Sequence, residues 1–189
     1  MSRLFDEGRL RFEFDDSWTV VKYDEPRGYY HEKVKDLEGT KAVDFVALCV
    51  RPAREPDLFW IEVKDFRGYR IQNKQRQRDG ELVAEVTQKV RDSIAGVVGA
   101  FQMSSTPETW QPFVNRLRRR EPLMKILLWL EDDAPPSGKS QRAKKTQIQS
   151  RLLKRQLEWL TTKVSIASLE NGGLPPGLTV TNLPGAGQP

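Results

Sequence analysis

The 189 residues contain one cysteine, Cys49, and one histidine, His31. A lone cysteine cannot close an intrachain disulfide, and Cys49 lies in an apolar run, so a reducing, cytoplasmic setting is expected. Without a second cysteine or histidine, a zinc site of nitrogen and sulfur ligands is excluded. The expected places are a surface strand for His31 and the core for Cys49. No stretch approaches the roughly 20 apolar residues that span a bilayer, so no membrane partner is expected. The opening segment MSRLFDEGRL is charged from its third residue and predicts no secretory leader. Internal repeats and an interdomain linker are also lacking. Gly138-Lys139-Ser140 has the ending of a phosphate-binding loop, but the glycine needed five positions earlier is Asp133. Pro135 and Pro136 would further remove backbone donors from such a cradle, which argues against an NTPase.

What is present suits one hydrophobic core: 38% of residues are hydrophobic and 30% charged. Lysine and arginine number 31 against 26 acidic residues, and the net charge of +5 favours polyanionic partners. Residues 1–170 are expected to form a single domain. Residues 171–189, rich in proline and glycine, are expected to be a partly loose tail.

Arg9 to Phe14 alternates polar and apolar residues like an edge strand, and Asp16-Ser17 is a helix-start signal. Trp18 to Glu25 is compatible with a short helix or an extended piece. Tyr29 to Leu37 and Ala42 to Val50 predict a hairpin turning at Glu38-Gly39-Thr40, and Leu58 to Phe66 a third strand of an antiparallel meander. Val83, Val86, Val90, Ile94, Val97 and Phe101 form the apolar stripe of a helix over 81–101. Pro107 to Arg120 is a second helical stretch, and MKILLWL over 124–130 reads as a strand buried on both faces. Gln141 to Leu160 predicts a basic helix with Ile148, Leu152, Leu153, Leu157 and Leu160 as its apolar side, before a last strand at Val164 to Leu169. The tryptophans at 18, 60, 110, 129 and 159 read as core or element ends. The fold class expected is α/β, a mixed sheet covered on both faces by helices.

The chemistry sits on the second and third strands of the meander. Glu62 and Lys64 are two residues apart and so share one face of a strand. Asp44 interrupts the apolar run AVDFVALCV, where a charge is expensive unless paired or bound to a metal. Neighbouring strands bring side chains to about 5 Å. Two carboxylates at that separation suit a hard divalent cation, magnesium or manganese, which takes oxygen ligands, waters and substrate phosphate. A lysine alongside can stabilise charge developing on phosphate, or orient or deprotonate the attacking water. Metal, water and cation together form a minimal kit for phosphodiester hydrolysis.

The pattern VDF…WIEVK, set between a short helix and a long amphipathic helix, resembles the PD-(D/E)XK nuclease superfamily over roughly Ser17 to Leu130. The resemblance implies a restriction-endonuclease-like core in the order helix, three strands, helix, strand, with the basic helix and last strand as additions. It also implies that Asp44 and Glu62 ligate Mg2+ or Mn2+ with the carbonyl of Val63, and that Lys64 is the catalytic lysine. The superfamily's proline before the aspartate is Val43 here. Members place an acidic residue on the first helix, a role open to Asp24 or Glu25, and some use a glutamine or lysine on the next helix, where Gln88 and Lys89 stand. Lys89, four residues after Glu85, reads as an ordinary ion pair within the helix.

The activity implied is metal-dependent endonucleolytic cleavage, of DNA rather than RNA, in phage defence or repair. A homodimer, or a helicase or defence complex, would be the protein partner. The alternative is a nuclease-like DNA-binding or protein-interaction subunit that no longer cuts. Arg67, Arg70, Lys74 and Arg76 follow the site and are candidate phosphate contacts. Arg142, Lys144, Lys145, Arg151, Lys154 and Arg155 make the late helix strongly positive.

Overall fold

A computed structural model of the chain describes residues 2–68, 80–119, 124–132 and 139–185. Its strands are β1 (Arg3–Glu7), β2 (Leu10–Phe14), β3 (Trp18–Lys22), β4 (Phe45–Arg51), β5 (Arg54–Asp65), β6 (Met124–Glu131), β7 (Val164–Ala167) and β8 (Leu178–Asn182). Its helices are α1 (Glu81–Met103), α2 (Pro107–Leu117) and α3 (Lys139–Leu157), with a single helical turn at Tyr30–Val34.

Side-chain alternation along β4, β5 and β6 sorts the core into two halves. Phe45, Ala47, Cys49, Phe59, Ile61, Leu127 and Trp129 point to one face of the sheet and pack on Leu10, Phe12, Phe14, Leu178 and Val180. Val46, Leu48, Leu58, Trp60, Ile126, Leu128 and Leu130 point to the other and pack on Val83, Val86, Val90 and Val97 of α1, with α2 and α3 beside it. The result is three layers: a small sheet of order β1-β2-β8, a five-stranded sheet of order β3-β4-β5-β6-β7, and the helices. Strands β3, β4 and β5 are antiparallel, whereas β5, β6 and β7 run parallel. Strand β6 is central and buried along its length, as its continuous apolar run predicts. The mixed sheet is therefore present with both faces covered, but helices cover only one of them; the small sheet covers the other in place of the expected helices.

The meander differs from expectation in its first member. Trp18–Lys22 is that strand, because Trp18 and Val20 alternate with exposed Thr19. Tyr29 to Leu37 forms no strand; only Tyr30 of its helical turn is buried, and Glu32 and Lys33 interrupt any period of two. Strand β2 is the middle strand of its sheet, paired on both sides rather than at an edge. The segment after Asn171, expected to be a loose tail, supplies β8, whose Leu178 and Val180 are buried against β2.

Candidate functional site

The β4–β5 register, Phe45 to Ile61 and Val46 to Trp60, sets Asp44 opposite Glu62 as the ladder continues. The strand begins one residue after Asp44, not before it. The reason is local: the Asp44 carboxylate accepts the backbone N–H of Val63, and its own carbonyl accepts the N–H of Tyr23 at 2.8 Å. The approach to Asp44 is pinned by α1, where Ser93 accepts the Val43 N–H at 3.0 Å and Asp92 accepts that of Lys41 at 3.1 Å.

Asp44 is 5% exposed and Glu62 wholly buried. Glu62 Oε1 lies 2.9 Å from Lys64 Nζ and 2.7 Å from Lys89 Nζ. Both distances are those of ion pairs, and Glu62 Oε2 has no hydrogen-bond partner among the described residues. Lys64 is held from the other side by Glu85 at 2.8 Å. Lys89 therefore reaches across to β5, and the pair expected within the helix, Glu85 with Lys89, gives way to two pairs between helix and sheet. Gln88 turns elsewhere, donating to the Gly39 carbonyl.

Asp24 stands in a turn after β3 rather than on a helix. Its carboxyl and those of Asp44 and Glu7 place oxygen atoms within 4.8 Å of one another. Glu7, at the end of β1, is held by Lys22 at 2.8 Å. Asp24 Oδ1 is buried with no hydrogen-bond partner among the described residues. The described carboxylates thus form two neighbouring groups that meet at Asp44, with Glu62 on the lysine side and Glu7 and Asp24 on the other. Nothing in the local sequence marks Glu7, because only tertiary packing of the first hairpin brings it there.

Burial dominates the electrostatics. It pushes Asp44 up to about 7; Lys89 opposes the shift and Asp24 adds to it. Burial also pushes Glu62 up to about 8, helped by Asp44, and the opposing ammonium groups of Lys89 and Lys64 are outweighed. Asp24 is raised for the same first reason. For Lys64 burial acts downward, but Glu62 and Glu85 prevail and hold it above its usual range. The ammonium form is therefore favoured at this position.

Arg67 is committed inward, 2.7 Å from Asp65 Oδ2, and it also donates to Asn182 Oδ1 at 2.7 Å. Arg70, Lys74 and Arg76 lie outside the described residues. Among the described residues no helix is long and apolar enough to cross a membrane.

No family model matches the chain, and no solved structure matches it. It is similar to a cysteine–tRNA ligase of Neisseria meningitidis serogroup A / serotype 4A (strain DSM 15465 / Z2491). The two are 29% identical over 119 residues, which is 50% of this chain and 16% of the ligase. The chain therefore spans less than a fifth of that relative's length, and a likeness of this extent assigns no family.

Proposed function

We propose that this chain is a divalent-metal-dependent nuclease of restriction-endonuclease-like architecture, hydrolysing phosphodiester bonds in DNA. The observation that carries the reading is the buried pair Asp44 and Glu62, set on one face of adjacent strands with the Lys64 ammonium beside them. The order β3, β4, β5, α1 and β6 is consistent with the three strands, helix and strand of that core, whereas the helix expected ahead of them is absent among the described residues, where β1 and β2 stand instead.

The donor set fits magnesium or manganese: every candidate ligand is a hard oxygen, and two buried oxygens, Glu62 Oε2 and Asp24 Oδ1, have no hydrogen-bond partner among the described residues. Asp44 and Glu62 would hold the ion, with Asp24 and the Val63 carbonyl as further candidates. When bound, it supplies a concentrated positive charge that polarises a phosphodiester and acidifies water. The chain's own residues do the rest. Lys64 stays protonated and offers N–H donors to phosphate oxygens as negative charge grows, exchanging one carboxylate partner to do so. Lys89 positions Glu62 from α1. Asp44, tied to the Val63 N–H, fixes the two strands against each other at the site.

One observation favours a second reading. Glu62, Lys64, Lys89 and Glu85 form a charge-balanced cluster that can persist without metal, as it would in a nuclease-like DNA-binding or assembly subunit that no longer cuts. Plasmid and linear DNA incubated with magnesium, manganese or EDTA separates the two. The nuclease reading expects metal-dependent nicking that falls at least about 100-fold in Lys64→Ala, the loss typical of removing one electrostatic stabiliser. Asp44→Asn keeps an acceptor for the Val63 N–H but removes the charge, and it should lose Mn2+ binding by calorimetry while remaining folded. Unchanged Mn2+ affinity in Asp44→Asn would sink the site assignment; DNA binding without cleavage would favour the second reading.

A further inference from the structure

Glu62, Lys64, Lys89 and Glu85 share their ion pairs unevenly. The wholly buried Glu62 holds two ammonium groups on one oxygen, Lys64 at 2.9 Å and Lys89 at 2.7 Å. Glu85 holds Lys64 at 2.8 Å. Lys89 follows Glu85 by four residues on α1, so a pair within one turn of its own helix is within reach. It crosses to the sheet instead. Burial disfavours the ionised forms of Asp44 and Asp24, and the Lys89 charge opposes that effect at both. One ammonium thus serves Glu62, Asp44 and Asp24, the carboxylates that the nuclease reading gives to a divalent cation.

A single positive charge compensates such a group poorly. Glu62 Oε2 and Asp24 Oδ1 still have no hydrogen-bond partner among the described residues. A divalent ion carries twice the charge and takes oxygen ligands from several directions at once. Two cations cannot share Glu62 Oε1 at contact distance without strong repulsion in a buried setting. Lys89, on a flexible four-carbon stem, is able to move aside.

We propose that Lys89 is a resident cation standing in the metal's place, and that it must leave Glu62 before an ion can enter. The inference rests on the nuclease reading and adds a regulatory exchange to the same site. Lys89 turns from Glu62 to Glu85, along its own helix. Glu85 in turn gives up Lys64, which is then free to donate to a phosphate oxygen. The cluster is therefore self-neutralised without metal, and the arrival of an ion frees the lysine that meets substrate. The alternative is a permanent structural ion pair, in which Lys89 holds Glu62 in place for the metal. The two differ in sign: removing Lys89 tightens metal binding in the first case and weakens it in the second.

Calorimetric titration of the full chain with Mn2+ at constant pH reads that sign, with Lys89→Met and Lys89→Gln beside the unaltered protein. Both variants should bind Mn2+ about 10-fold more tightly, a modest coupling for two cations that exclude each other. Lys89→Arg, which keeps the charge, should bind no more tightly than the unaltered protein. In crystals of the unaltered chain soaked in Mn2+, Lys89 Nζ should lie away from Glu62 and within ion-pair distance of Glu85, a readout that holds even where a substitution prevents folding. If Lys89→Met and Lys89→Gln bind Mn2+ equally or more weakly, or if Lys89 stays on Glu62 beside a bound ion, the exchange is overturned while the metal site stands. Mn2+ binding by these two variants but not by the unaltered protein would support both. If no form of the chain binds Mn2+, the nuclease reading falls and the exchange with it.

Discussion

The five-stranded sheet has two faces built from the same strands, and they are used differently. On the face toward β1, β2 and β8, Phe12, Phe14, Trp18, Phe45, Phe59 and Trp129 interlock, with ring centroids between 5.0 and 5.8 Å for the closest pairs. The charged side chains on that face stand toward the strand ends, where Lys125 pairs with Asp57 at 2.7 Å and Arg9 with Asp65 at 3.2 Å. On the face toward α1 the same alternation begins with Leu58 and Trp60, then turns to Glu62 and Lys64 at the carboxyl end of β5. One residue of phase separates a position that buries an aromatic ring from one that buries a carboxylate. Both faces bury a hydrophobic cluster, and on the helix face Asp44 and Glu62 are buried at its edge.

That division gives the largest expected effect. Phe45→Ala removes a wholly buried ring that contacts Phe5, Phe12 and Phe14. It should cost about 3–5 kcal/mol in urea denaturation. A loss below 1 kcal/mol would mean that the aromatic face is not the anchor, and the comparison between the faces would fail.

A smaller loss is expected on the helix face, from Gly96→Ala. A methyl group on Gly96 would run into the Tyr23 hydroxyl, with Tyr23 Cζ at 3.2 Å. Tyr23 is buried and immediately precedes Asp24, so its ring must shift, and the turn carrying Asp24 with it. Overpacking of this kind costs about 1–3 kcal/mol. Mn2+ affinity should fall as well; unchanged affinity in Gly96→Ala would break the assignment of Asp24 to the site.

The apolar face was largely legible in the sequence and the charged face only partly. Strands β4, β5 and β6 and helix α1 follow from periodicity, because each buries a regular pattern of side chains. Asp44 stood out for the opposite reason, as a charge inside an apolar run, and Glu62 through its two-residue spacing from Lys64 on one strand face. Tyr29 to Leu37 misled because its aromatics suit strand and helix alike, and β8 was hidden by the prolines and glycines around Leu178 and Val180. The partners of the site residues were not legible. Whether Lys89 meets Glu85 on its own helix or Glu62 across the gap is decided by how α1 lies on the sheet, and Glu7 arrives through the packing of a hairpin remote in sequence. Gln149 shows the same limit: it is buried whereas its apolar neighbours Ile148 and Leu152 are exposed, and only the rotation of α3 about its axis puts the amide inside.

The mildest perturbation is a change of pH, and it separates the faces without any substitution. Asp44 and Glu62 titrate near 7 and 8 in the folded chain, both raised by burial, whereas unfolded carboxyls titrate near 4. Between those limits the folded state binds more protons than the unfolded state, so stability is greatest below about pH 4 as far as these groups are concerned and falls as pH rises through 7 and 8. The slope is at most about 1.4 kcal/mol per pH unit for each carboxyl, on an order-of-magnitude basis. Urea midpoints measured from pH 5 to 9 in EDTA should decline, and Glu62→Gln should flatten the upper part of the decline. Saturating Mn2+ should reverse the trend, since ions compete with protons for the same oxygens and bind more tightly as pH rises. A midpoint that rises with pH in EDTA would mean that the two carboxylates are ionised and satisfied by Lys64 and Lys89 alone, leaving no electrostatic need for a metal on this face of the sheet.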